Sequence, residues 1–135
     1  MKPTSFLLLL LFYISCVGPA EPDNGLVENL PVVVNTEKAF TFSVRGNQYI
    51  FEENYEIKLT LAAQQTYSST VVVTDFTGKD TSYIRIEDID HSALQEYTFT
   101  SDYVSVERGT AVAPRKALIQ LNNFSGILEL VLAPE

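Results

Sequence analysis

The chain has 135 residues, with nine Lys and Arg against seventeen Asp and Glu, a single histidine, one cysteine and no tryptophan. That length suits one domain, and a formal charge of −8 repels nucleic acid and anionic lipid, so neither is an expected partner. One cysteine excludes an intrachain disulfide, and the core must hold the domain by itself.

The N-terminus reads first as an address. Lys2 gives a positive start, Phe6 to Ile14 form an apolar run, and Tyr13-Ile14-Ser15-Cys16 places a small residue ahead of the only cysteine. The run is well short of the ~20 residues that span a bilayer. These residues resemble a bacterial lipobox, in which Ile14, Ser15 and Cys16 match and Tyr13 stands where leucine is usual. The resemblance implies a signal peptide over 1–15, attachment of diacylglycerol to the Cys16 thiol, and a mature chain that begins at Cys16. A thiolate suits this chemistry because it is the strong nucleophile among the small side chains. More than one acyl chain is needed for stable anchoring, and a bacterial lipoprotein carries two or three. Val17 after the cysteine, instead of aspartate, implies the outer membrane or cell surface. A competing reading is an ordinary secretory signal cut after Ala20, which would leave a secreted chain.

Val17 to Gly25 holds two prolines, two glycines and two acids without apolar periodicity, so residues 16–30 read as a tether carrying the lipidated cysteine. The folded domain is expected over 31–135. Val32-Val33-Val34 opens it, and Phe40, Phe42 and Val44 alternate with polar residues as in a half-buried strand. Gly46-Asn47 before Gln48 to Phe51 is a two-residue hairpin signal. Ile57, Leu59 and Leu61 predict a further strand, as do Thr70 to Thr74 and Tyr83 to Ile86. Ile89 to Glu96 is the one place for a single helical turn, with Asp90 or Ser92 as cap. Tyr97 to Thr100 and Tyr103 to Val106 read as two short strands or one bent strand. The chain closes on an expected hairpin, Ala117 to Leu121 and Ile127 to Leu132, joined through Asn122 to Gly126. Seven to eight short strands with Gly, Asn and Asp turns predict an all-β, antiparallel, immunoglobulin-like β-sandwich. Antibody-type domains carry a Cys, Trp, Cys core that this chain lacks, so the likeness is architectural.

Signals for chemistry are sparse. His91 sits between Asp90 and Ser92, but sequence neighbours on an extended chain do not face one another, so Asp-His-Ser is no triad. Zinc is poorly served by one histidine and no spare cysteine. Glu87, Asp88 and Asp90 offer calcium-type oxygen ligands, with Asp75 or Asp80 as further donors from a neighbouring loop. The EF-hand pattern nevertheless fails, with Ala93 at the glycine position and Phe99 at that of the bidentate glutamate. No cofactor and no catalytic residue is expected. The functional expectation is a non-catalytic, surface-anchored binding or scaffolding domain that meets a protein or glycan partner. Its alternative is a carbohydrate-recognition module whose platform is drawn from Tyr49, Tyr55, Tyr67, Tyr83 and Tyr103.

Overall fold

A computed structural model describes residues 25–135 of the chain. Cys16, the expected signal and most of the expected tether lie outside them. Seven strands follow in order: β1 (Val32–Asn35), β2 (Phe40–Glu56), β3 (Tyr67–Thr74), β4 (Ser82–Glu87), β5 (Ala93–Phe99), β6 (Tyr103–Arg108) and β7 (Lys116–Pro134). All strand pairings are antiparallel. The expected all-β, immunoglobulin-like sandwich is therefore what the chain forms.

Two long strands carry the architecture. The first half of β2 pairs with the second half of β7, which continues through β3 to β6, while β1 flanks β2 on the other side. The second half of β2 pairs with the first half of β7, which continues instead to β4 and β5. One layer thus reads β1-β2-β7-β3-β6 and the other β2-β7-β4-β5, with β2 and β7 passing through both. Their inner faces meet directly, since the Tyr97 hydroxyl on β5 donates to Ser69 Oγ on β3 at 2.8 Å. Phe40 and Phe42, from the start of β2, pack their rings against Tyr55 near its end.

Here the structure corrects the two expected hairpins. Neither Gly46-Asn47 nor Asn122 to Gly126 reverses the chain; each lies inside a continuous strand. Phe40, Phe42, Val44 and Gly46 are buried, and the inward side then passes to Tyr49, Phe51 and Tyr55, a change of parity that takes one extra residue. Strand β7 makes the matching change, from Ala117, Ile119 and Leu121 to Phe124 and then Leu128, Leu130 and Leu132. The register shifts at the same level on both strands. Positive φ at Gln48, Asn123 and Gly126 absorbs the irregularity. These residue types signal bulges as well as turns, and the ring of Phe124 fills the space a Gly46 side chain would need, with a Cβ there only 2.5 Å from Phe124 Cδ1.

The expected strand Ile57 to Leu61 is also absent. Ile57 and Leu59 are buried, but their stretch bonds irregularly: Ile57 N–H donates to the Arg115 carbonyl at 2.8 Å, Lys58 N–H to Asn35 Oδ1 at 3.0 Å and Thr60 N–H to the Glu37 carbonyl at 3.0 Å. Burial of alternate residues does not need a ladder when scattered acceptors satisfy the backbone. At the N-terminal side, Asn29 N–H donates to the Arg45 carbonyl at 2.7 Å, and Asn29 Oδ1 accepts from Asn47 N–H at 2.8 Å. The last residues before β1 are thus tied to the bend of β2.

The core between the layers is formed by aromatic and branched side chains from every strand except β1 and β6, including Phe40, Phe42, Val71, Val73, Ile84, Ile86, Tyr97, Ile119, Leu128 and Leu130. Fully burying a side chain of this size contributes about 1.5–3 kcal/mol against leaving it in water, which is how a domain without staples stays folded. Layering also fixes where surface features can lie, at the free edges and at the strand ends.

Candidate functional site

One end of the β2-β7-β4-β5 layer carries a cleft of about 490 Å³, where β2 finishes, β7 begins and the β4–β5 turn rises beside them. Asn54, Tyr55, Glu56, Ile57, Asp88, Ile89, His91, Arg115 and Lys116 line it. The floor is set by backbone bonds: Ile57 N–H reaches the Arg115 carbonyl at 2.8 Å, and Arg115 N–H reaches the Glu87 carbonyl at 2.7 Å.

The wall made by the β4–β5 turn is equally well held. Asp88 Oδ1 accepts two backbone N–H groups, from Asp90 and from Ser92, each at 2.9 Å. Ser92 N–H is drawn inward while its carbonyl accepts from Asp88 N–H at 3.0 Å, closing the turn. His91 takes a left-handed conformation with φ of 61°. No helical turn forms: Asp88, not Asp90 or Ser92, supplies the capping oxygen, and Ala93 starts β5 directly. A short polar side chain that bonds two residues ahead mimics a backbone turn, which is the Asx geometry seen at Asp88.

Electrostatics around the cleft divide into engaged and unengaged groups. Glu87 holds Arg85, with Nε 2.9 Å from Oε1 but without the alignment of a hydrogen bond, and its other oxygen lies 3.4 Å from His91 Nδ1. Arg85 also approaches Glu96 at 3.6 Å. Arg115 and Lys116, by contrast, form no ion pair among the described residues. Lys116 sits opposite Glu56 on β2 and Glu87 on β4 in the register, yet Glu87 is already occupied on both oxygens.

The residues singled out in the sequence fall as follows. Glu87, Asp88 and Asp90 share one turn but serve it internally, and among the described residues no group of three or more His, Cys, Asp or Glu is placed to hold a metal ion. Asp80 lies elsewhere, its Oδ2 accepting from Asn123 Nδ2 at 2.8 Å, and Asp75 follows β3 with φ of 56°. Among the described residues His91 has no serine or threonine bonded to its ring; its ring partner is Glu87.

The five tyrosines do not assemble into a platform. Tyr67 is fully buried and its hydroxyl donates to Gln95 Oε1 at 3.3 Å. Tyr83 donates to Glu96 Oε1 at 2.7 Å on the outer face of β4. Tyr103 stacks on Phe99 with ring centres 6.3 Å apart, at the start of β6. Tyr49 stacks on Phe51 at 5.5 Å, and only Tyr55 reaches the cleft. Burial holds the phenols of Tyr49 and Tyr55 above their usual value, and at Tyr55 the Glu53 carboxylate adds to the effect. Arg115 and Lys116 escaped sequence reasoning because a lone Arg-Lys pair after a proline carries no motif. A second exposed feature is β6, an edge strand paired only to β3, whose Val104 and Val106 are 69% and 70% exposed.

No family model and no curated protein matches the sequence. Among solved structures, a protein described as a Bacillus endospore appendage of disulfide-linked pili is similar at a TM-score of 0.46 and 12% identity, over 87% of this chain and 96% of that one. A structure described under CBM4 structure and function is similar at 0.40 and 15% identity, over 72% and 84%. The capsular polysaccharide assembling protein CapF from Staphylococcus aureus gives 0.30 and 9% identity over 78% of this chain but only 28% of its own. At such scores and identities these likenesses do not reach the level at which function is argued.

Proposed function

We propose that this chain is a non-catalytic binding domain of the bacterial cell envelope, anchored by lipid on Cys16 and meeting its ligand at the cleft between Tyr55, Ile89 and Arg115. The observation that carries the reading is the cleft itself. It is preformed by backbone bonds, it holds cationic, acidic, aromatic and aliphatic side chains together, and its one histidine leans on a glutamate. Binding sites are typically concavities of this size with a few convergent polar groups. The lipobox-like run ending at Cys16 supports the anchor, and the proline-containing acidic tether that follows it would hold the domain off the membrane surface.

Anchoring is tested in cells: radiolabelled palmitate should enter the protein and the protein should sediment with membranes. Cys16→Ser should abolish both. Labelling and fractionation that survive this change would sink the anchor and leave the secreted reading. Binding is tested on a glycan array with the full chain, and a carbohydrate ligand is favoured by Tyr55, the one tyrosine of the five at the cleft. An array without signal, together with a defined protein partner whose binding is lost in Arg115→Gln, would place a protein in the site instead.

A further inference from the structure

We propose that the cleft takes a short acidic oligosaccharide, with Arg115 and Lys116 receiving a ring carboxylate and Tyr55 and Ile89 packing against the sugar. The inference rests on the binding-domain reading and names its ligand class.

The cations come first. Of the charged side chains near this end of the molecule, Arg85, Glu87 and His91 are engaged with one another, and Asp88 has one oxygen taken up by two N–H groups. Arg115 and Lys116 are adjacent, line the same cleft and form no ion pair among the described residues. Arginine offers a planar fork that matches a carboxylate bidentately, and lysine adds a point charge beside it. Long-range repulsion from a chain with a formal charge of −8 disfavours an extended polyanion, so a ligand with few charges fits best.

The remaining lining suits a sugar ring. Asn54 and the Glu56 carboxylate supply donors and acceptors for hydroxyls, and neither side chain is engaged within the described structure. Tyr55 borders the cleft and its ring is held by Phe40 and Phe42, while Ile89 stands 75% exposed on the β4–β5 turn. An aliphatic side chain held in water at the rim of a polar cleft gains most by covering the C–H face of a ring. An extended peptide fits less well, because it would add to a strand edge. The last carbonyl on the β2 edge, that of Glu56, is already taken by Asn35 Nδ2 at 2.7 Å.

The test uses the full chain in detergent micelles, titrated calorimetrically with trigalacturonic acid and with the neutral trisaccharide maltotriose. Trigalacturonic acid should bind and weaken in high salt, and maltotriose should bind at least about tenfold more weakly. Arg115→Gln and Lys116→Gln should each weaken trigalacturonic acid by about tenfold or more without moving the melting temperature, while Arg108→Gln, outside the cleft, should leave binding unchanged. Equal binding of the two sugars, or full affinity in both cleft variants, would overturn the assignment. So would silence of the intact protein toward both sugars; in that case the glycan array and protein-partner assay still decide the wider binding-domain reading.

Discussion

Tyr67 and Tyr97 reach from opposite layers into the middle of the core, and each needs a partner for its hydroxyl. Tyr97 donates to Ser69 and Tyr67 to Gln95, so two tyrosine hydroxyls and two buried polar side chains satisfy one another. Removing the hydroxyl in Tyr97→Phe leaves Ser69 Oγ without its donor in a dry site, which should cost about 1–2 kcal/mol in chemical denaturation. Truncating both partners, as in Tyr97→Phe with Ser69→Ala, should recover part of that loss. Burial also pushes both phenols up to about 12 from the ordinary 10. A raised value means the fold favours the neutral form. That contribution is whole below pH 10 and is lost as pH rises through 12. Spectrophotometric titration should show Tyr67 and Tyr97 ionising near pH 12 while the protein is folded and near 10 once it is denatured. The sequence placed Tyr67 among surface candidates because the β-branched run begins at Thr70. Strand β3 begins three residues earlier, and the parity that buries Val71 and Val73 buries Tyr67 as well.

At the scale of the elements, β2 and β7 show why alternation was legible and connectivity was not. The alternation of Phe40, Phe42 and Val44 and of Leu128, Leu130 and Leu132 was read on the correct faces, but the breaks at Gly46-Asn47 and Asn122 to Gly126 look the same in sequence whether the chain reverses or bulges. What decides is the partner: each half of β2 finds its antiparallel mate in β7, with Gly46 opposite Gly126, so neither strand folds onto itself. Gly126 has φ of 147°, and a Cβ there would stand 2.8 Å from the Thr74 carbonyl oxygen. Gly126→Ala should therefore destabilise by about 1–3 kcal/mol, read as a lower urea midpoint. Asn123→Gly, at φ of 45°, should cost less than Gly126→Ala, because glycine adopts that conformation freely and the lost bond to Asp80 is an exposed one. A larger cost at Asn123 than at Gly126 would contradict the paired-bulge account.

For the whole molecule, the absence of any disulfide within the chain places stability on one core shared by two layers. The melting temperature should be the same with and without a reducing agent, and a reductant-sensitive transition would contradict that view. Added salt should raise it slightly by screening the self-repulsion of an acidic chain.

Composition and period-two patterning by themselves determined that this chain is an all-β antiparallel sandwich and that Phe40, Phe42 and Val44 share a buried face, because the pleat ties burial to alternation residue by residue. The lipobox-like run ending at Cys16 is likewise a local signal, with no need of a fold to be read. Only the tertiary structure decided that β2 and β7 pass through both layers, that Tyr67 is core, and that Asn54 to Ile57, the Asp88 turn and Arg115-Lys116 meet in one cleft. Those three segments stand about 30 residues apart along the chain, and their meeting is set by the register of β2 and β4 on β7, a long-range property that no short stretch of sequence contains.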